Sequence, residues 1–302
     1  MTITEAEQSL SRQLEPLYGT GEASGIAALV MEHLTGHDRL RRRQEGAVLD
    51  AAAHRQLESF TARLLQQEPV QYVLGESWFY GMRLYVDRHV LIPRPETEEL
   101  VDWIVREVRA SGIATQKERP TEPDATTELK ILDVGTGSGC IALALKKALP
   151  RAEVWGCDCS EGALNVARRN GAELDIRVDF VGLDFLDAGQ RRQLPSVDLI
   201  VSNPPYIPEK DKASMHPNVL EHEPHTALFV PDEHPLLFYE ALADFAHHRL
   251  HRAGSLYVEI HEGLGADVVV LLHRKGFTDV VLKKDMQGKD RMIRAGKLRN
   301  TE

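Results

Sequence analysis

The tetrapeptide Asn203-Pro204-Pro205-Tyr206 follows directly on the apolar run VDLIVS, and its residue types suit one kind of chemistry. Consecutive prolines fix φ and carry no N–H, which leaves their carbonyls as rigid acceptors at a turn. Asn203 adds a side-chain carbonyl, and Tyr206 a ring that can pack on a planar group. Together they can accept hydrogen bonds from both hydrogens of an NH2 group, so the set selects an amide or an exocyclic amine. An amide nitrogen is a poor nucleophile because its lone pair is delocalised into the carbonyl. Acceptors aimed at both N–H bonds stabilise the positive charge that develops as the nitrogen attacks a sulfonium methyl in line. Prior deprotonation, a catalytic base and a metal are then unnecessary.

A second group of residues suits a nucleoside. Asp133-Val-Gly135-Thr136-Gly137-Ser138-Gly139 follows a buried-strand pattern and opens a helical one, and its alternate glycines let the chain turn sharply and a ligand approach closely. The spacing GxGxG differs from the dinucleotide GxGxxG and lacks the GK[ST] of a triphosphate loop. Asp158, about 20 residues on at the end of the next strand, can accept from both ribose hydroxyls, although it also reads as a cap beside Ser160. Asp184 and Phe185 close the third strand, where a carboxylate and a ring can hold the edge and face of an adenine; Phe185 reads equally as a core aromatic.

These groups need a scaffold that brings strand ends together. Residues 1 to about 74 carry helical spacing only, as in Ile26, Leu29, Val30 and Leu34, and predict a small all-helical domain over 1–74. Alternation of Met82, Leu84 and Val86 around Gly81 predicts a β-hairpin linker over 75–93. A larger domain follows over 94–302, beginning with a helix whose first turn holds Glu96, Glu98 and Glu99. The polar stretch 111–129 reads as a solvated loop. From Lys130 strands alternate with helices, which predicts a doubly wound parallel α/β sheet. Its last two strands, FTDVVLKK and RMIRAG, are joined by too few residues for a crossover and must pair as an antiparallel edge hairpin.

Composition removes several alternatives. With 42% hydrophobic and 27% charged residues the chain is an ordinary globular protein, and a net charge of −10 argues against a general nucleic-acid binder. The N-terminus is polar and acidic where a signal peptide is basic and then apolar, and no apolar run nears the roughly 20 residues that span a bilayer, so a cytoplasmic protein is expected, and with no obvious exposed apolar stripe a monomer. Cys140, Cys157 and Cys159 lack zinc-site spacing and read as buried reduced thiols, while His216, His222, His225 and His234 read as solvated or capping groups, so no metal is expected.

At this point the residues resemble a known family over nearly the whole chain. LIPRPETEELV at 91–101, DVGTGSGCIALAL at 133–145, CDCSEGALNVARRN at 157–170, SNPPYIP at 202–208, EPHTALF at 223–229 and DMQGKDRMIRA at 285–295 are similar to class I S-adenosylmethionine-dependent methyltransferases with a Rossmann-like sheet. Within them they resemble the protein-glutamine N5-methyltransferases that modify peptide chain release factors. The resemblance implies that Gly135, Thr136, Gly137, Ser138 and Gly139 wrap the methionine part of S-adenosylmethionine, that Asp158 takes the ribose and that Asp184 and Phe185 flank the adenine. It implies further that Asn203, Pro204, Pro205 and Tyr206 hold the glutamine amide of a GGQ loop in class 1 release factors, and that the helical domain grips the factor. Arg94 and Glu98 match the family's proline-rich block and are expected near the mouth of the site. Two other readings stand beside this one: an N-methyltransferase for an exocyclic amine of DNA or RNA, which would need a base-flipping pocket or basic face, and a non-catalytic module that keeps the cofactor fold.

Overall fold

Thr2 opens the first helix with a reciprocal cap: its hydroxyl accepts from the Glu5 N–H, and the Glu5 carboxylate accepts from the Thr2 N–H. The helix, α1 (Ile3–Thr35), changes direction at Gly19, whose φ of 73° lies outside the helical range, and ends on Gly36 in the left-handed conformation. Asp50 caps α2 (Ala51–Leu64) through the N–H groups of Ala52 and Ala53, and a short α3 (Val70–Leu74) follows. Leu10, Leu14, Ile26, Val30, Leu57, Phe60 and Leu64 form one apolar core among these helices. The computed structural model describes residues 1–37, 41, 48–111 and 129–298, so all but the ends of the polar stretch 111–129 lie outside the described residues.

The chain divides into two compact units, Met1–Glu76 with Met215–His222, and Ser77–Ser214 with Glu223–Glu302. The excursion of 215–222 into the helical unit has no counterpart in the sequence reading. There Pro217–His222 forms a short helix, and the His222 imidazole meets the Gln66 carbonyl at 3.1 Å.

The second unit starts with the predicted hairpin, β1 (Ser77–Phe79) and β2 (Met82–Leu84), turned by Tyr80 and Gly81 at φ of 50° and 67°. Positive φ at both turn residues matches the twist of the flanking strands. After α4 (Pro95–Ala110), which has proline at its first position and Glu96 and Glu98 in its first turn, come β3 (Lys130–Val134), α5 (Cys140–Ala148), β4 (Glu153–Asp158) and α6 (Glu161–Glu173). Next are β5 (Asp179–Gly182), β6 (Val197–Ser202), a two-residue β7 (Ile207–Pro208) and α7 (Pro217–His222), the short helix of the first unit. The chain closes with β8 (Phe229–Val230), α8 (Leu237–Arg249), β9 (Leu250–Glu259), α9 (Gly265–Arg274), β10 (Phe277–Lys284) and β11 (Asp290–Leu298).

Seven strands make one sheet in the order β10-β11-β9-β6-β3-β4-β5. Strands β9, β6, β3, β4 and β5 run parallel, and β11 pairs antiparallel with both β9 and β10, which is the expected edge hairpin. Neighbouring residues of the central strands face opposite layers. Ile131, Leu199 and Val201 join Leu100, Ile104 and Leu143 on one side, while Leu132 and Ile200 join Leu242, Phe245, Val268 and Leu272 on the other. Strand order reverses between β3 and β6, and ligands bind at such a switch point, outside the carboxyl ends of the strands.

Two details differ from the sequence pattern. Strand β5 begins at Asp179, three residues later than the apolar run suggests, because Asp175 takes a φ of 53° and Ile176 N–H returns to the Gly171 carbonyl to close α6. Of the thiols, only Cys157 is buried; Cys140 is half-buried at the start of α5, and Cys159 is exposed because it follows β4 just before the chain turns at Ser160. No helix among the described residues is long and apolar enough to cross a membrane.

Candidate active site

Register places three loops side by side. Val134 lies opposite Cys157 on β4 and opposite Ser202 on β6, so the glycine loop, Asp158 and Asn203 all leave the sheet at the same level. The Ser202 hydroxyl donates to the Val134 carbonyl at 2.7 Å and fastens the NPPY strand to the glycine-loop strand.

Within the loop, Gly135, Gly137 and Gly139 have φ of 72°, 52° and 80°. A Cβ on Gly135 or Gly137 would point into open space, whereas one on Gly139 would press on Ala167, Leu143 and Phe180 at 3.2 Å. The first two therefore leave room for a ligand, and the third lets the loop pack on its own unit. The Thr136 hydroxyl donates to Asp133 Oδ2 at 2.6 Å, and Ala142 N–H reaches the same oxygen. Asp133 is fully buried and its Oδ1 has no partner among the described residues. Burial pushes its carboxyl up to about 7 against these two hydrogen bonds. Ser138 is buried, and its carbonyl accepts from Asn170 Nδ2, which also donates to the Tyr85 carbonyl, while Asn170 Oδ1 accepts from Tyr85 N–H. One buried amide so ties the loop to the segment after β2.

Asp158 uses one oxygen for the Gly137 N–H and the other for the Ser160 N–H, both at 2.9 Å, while the Ser160 hydroxyl itself caps α6. Each carboxylate oxygen keeps a lone pair for a further donor. Burial raises the Asp158 carboxyl above its ordinary value, opposed by those N–H groups. A cradle open in front of two glycines, an orphaned buried carboxylate oxygen and a strand-end carboxylate with spare acceptor capacity fit a nucleoside that carries a cationic amino-acid end. Asp184 is exposed and accepts from Leu186 N–H. Phe185 is buried, with its ring edge-on to Phe245 at 5.3 Å and the Arg191 guanidinium 5.6 Å over it. Its ring is thus committed to the core, and any stacking surface it offers is small.

Past β6, Pro204 is buried and Asn203, Pro205 and Tyr206 are half-buried. Asn203 Nδ2 donates to the Thr97 hydroxyl at 3.1 Å, and Thr97 donates to Glu259 Oε2 at 2.6 Å. The Tyr206 hydroxyl donates to Glu259 Oε1 at 3.1 Å. Glu259, at the end of β9, is buried and was not flagged by any sequence motif; its one signal is position at the carboxyl end of a parallel strand. Arg94 and Glu98 both lie at the start of α4. Arg94 pairs with Glu223 at 2.6 Å, and the buried Glu223 carboxylate also takes the Ile92 N–H. That clamp joins the proline-rich block to the segment that follows α7. Of the histidines, His216 accepts from Asn218 N–H, and His225 packs edge-on to Phe229.

Residues 5–75 match the PrmC N-terminal domain and residues 121–225 the methyltransferase small domain. A release factor glutamine methyltransferase of Bacteroides thetaiotaomicron is 41% identical over 95% of this chain and 98% of its own. Another, of Flavobacterium psychrophilum, is 44% identical over 79% of each chain. Among solved structures, the hMettl16 catalytic domain in complex with MAT2A 3'UTR hairpin 6 superposes with a TM-score of 0.54 at 14% identity, covering 84% of each chain, which is a likeness of fold.

Proposed function

The chain belongs to the release factor glutamine methyltransferases, and from that premise we propose that it methylates the N5 amide nitrogen of the GGQ glutamine in class 1 peptide chain release factors. S-adenosylmethionine is the methyl donor in this reading. The observation that carries it is the acceptor set of Asn203 and the two prolines at the end of β6, one strand away from the glycine loop.

Bound S-adenosylmethionine supplies an electrophilic methyl group on a sulfonium centre. Gly135, Thr136, Gly137, Ser138 and Gly139 would wrap its methionine end, where Asp133 Oδ1, without a partner among the described residues, suits an ammonium. Asp158 takes the ribose hydroxyls with the lone pairs that Gly137 and Ser160 leave free. Asp184 accepts from the adenine edge, and Phe185 forms the wall beside it. Asn203 Oδ1 and the carbonyls of Pro204 and Pro205 accept the two glutamine N–H bonds, while the Tyr206 ring covers the amide plane. With both hydrogens held, the nitrogen presents its remaining electron density along the line of the methyl group. The acceptors would stabilise the charge that grows on nitrogen as the N–C bond forms and the methyl–sulfur bond breaks to leave a neutral thioether, and the surplus proton would then leave to water. The helical unit recognises the factor, and the chain acts as a monomer.

The test incubates the protein with methyl-labelled S-adenosylmethionine and, in separate reactions, a class 1 release factor, the same factor with its GGQ glutamine changed to alanine, and duplex DNA or ribosomal RNA. Label on the unaltered factor alone is the expected result. Label on nucleic acid would replace this reading by one of exocyclic-amine methylation, and label on the altered factor would move the acceptor elsewhere.

A further inference from the structure

We propose that Thr97 and Glu259 are positioning residues that decide which end of the Asn203 amide faces the substrate. The inference rests on the reading above and deepens it. An asparagine amide has two chemically opposite ends, and only the carbonyl end can accept from a glutamine NH2. Rotated by half a turn, Asn203 would point N–H groups at N–H groups, and the site would repel what it has to hold.

The hydrogen bonds remove that choice. Thr97 has one hydroxyl hydrogen, and it goes to Glu259 Oε2 at 2.6 Å. Toward Asn203 the Thr97 oxygen can therefore only accept, so the group that meets it at 3.1 Å is Nδ2, and Oδ1 is left for the substrate. Glu259 Oε1 takes the Tyr206 hydroxyl hydrogen at 3.1 Å, so one carboxylate orients both ends of the NPPY tetrapeptide. Three chain segments far apart in sequence, the start of α4, the end of β6 and the end of β9, converge on this relay. Its inner members are closed to water, since Thr97 and Glu259 are both buried.

The relay works in this sense only while Glu259 is an acceptor at both oxygens. Protonated, it becomes a donor at one of them, and either Thr97 or Tyr206 must turn its hydrogen elsewhere. Burial raises the Glu259 carboxyl above its ordinary value. The hydroxyls of Thr97 and Tyr206 and the charge of Arg291, on β11, oppose that rise, and Glu96, on α4, adds to it. From α8 the Tyr239 hydroxyl meets the Glu259 main-chain carbonyl, and Arg291 itself is held by Asp285 at 3.2 Å.

The test compares Thr97→Val, Thr97→Ser and Glu259→Gln with the wild type in steady-state methylation of a class 1 release factor, with thermal melting and S-adenosylmethionine binding measured alongside. For Thr97→Val we expect kcat to fall roughly 10- to 100-fold, the scale of a misplaced reacting group, with KM for the factor changed less than about threefold. Thr97→Ser, which keeps the hydroxyl, is expected within about threefold of wild type in kcat. At saturating S-adenosylmethionine, which occupies Asp133 and Asp158, the wild-type kcat should fall on acidification along a limb above the ordinary carboxylate range, and that limb in kcat should be missing in Glu259→Gln. An active wild type with a Thr97→Val enzyme of undiminished kcat overturns the inference, as does a Thr97→Ser enzyme as impaired as Thr97→Val, or an acid limb that survives in Glu259→Gln. A wild type that leaves the factor unlabelled overturns instead the reading on which the inference rests.

Discussion

Asp133 is a carboxyl group enclosed at the end of β3, and the cost of that enclosure has a measurable pH signature. Its folded value of about 7 lies above the ordinary 3.8, so the folded protein holds the proton more tightly than the unfolded chain does. The stability this provides is complete below about pH 4 and is lost as the pH rises through 7. The melting temperature of the wild type relative to Asp133→Asn should therefore fall across that interval in the absence of cofactor; a flat difference would contradict the assignment. For Asp158→Ala, the Gly137 and Ser160 N–H groups lose a charged acceptor. Calorimetry should show S-adenosylmethionine binding weakened by about 1.5–3 kcal/mol, roughly ten- to a hundredfold in Kd. Asp158, the glycines and NPPY stand in short contiguous patterns that the sequence displays, whereas the role of Asp133 does not show there, since it reads only as the strand end before the glycine loop. Glu259, Asn170 and the role of Thr97 do not show either, because their partners lie far away along the chain: 162 residues separate Thr97 from Glu259 and 85 separate Tyr85 from Asn170.

The elements that hold these residues tolerate little change where backbone runs close to side chains. A Cβ on Gly156, in the middle of β4, would stand 2.7 Å from Thr136 Oγ1 and 2.9 Å from the Phe180 ring. Thr136 is the residue that binds Asp133, so Gly156→Ala should displace the glycine loop as well as overpack the sheet. We expect a loss of about 1–3 kcal/mol in chemical denaturation together with weaker cofactor binding. Unchanged stability would mean that the strand absorbs the methyl group without moving Thr136. At this scale the sequence reads well where hydrophobic period and turn chemistry agree, as at Tyr80-Gly81, along α4 and in the β10–β11 hairpin. The parallel pair β7–β8 escapes such reading because each strand has two residues, too few to show a period, and its partner lies beyond α7. Phe185 shows the limit at a single position: an aromatic at a strand end has the same type and place whether it stacks on a ligand or, as here, meets Phe245 in the core.

For the molecule as a whole, the division into two compact units makes their stabilities separately testable. In the helical unit Arg63 binds both Glu68 oxygens and the carbonyls of Tyr72 and Val73, closing the turn between α2 and α3. Arg63→Ala should lower the melting of this unit by about 1–3 kcal/mol, with methyl-donor binding by the other unit intact; equal loss in both would show that they unfold together. Helical spacing gives way to strand alternation near residue 75, and the first compact unit leaves off at Glu76 before it takes up 215–222. The return of 215–222 to the helical unit was not legible in the sequence, since a short polar helix in a loop carries no apolar signature of where it packs.

In the proposed function this chain places a methyl group on one amide nitrogen of one glutamine. That transfer is tested most directly by fragmentation mass spectrometry of a class 1 release factor after incubation with S-adenosylmethionine and either the wild-type protein or Asn203→Ala. The wild type should add a single methyl to the side-chain nitrogen of the GGQ glutamine, and Asn203→Ala none, although that variant still binds the donor. A methyl group at any other residue of the factor, or full modification by Asn203→Ala, would contradict the proposed function.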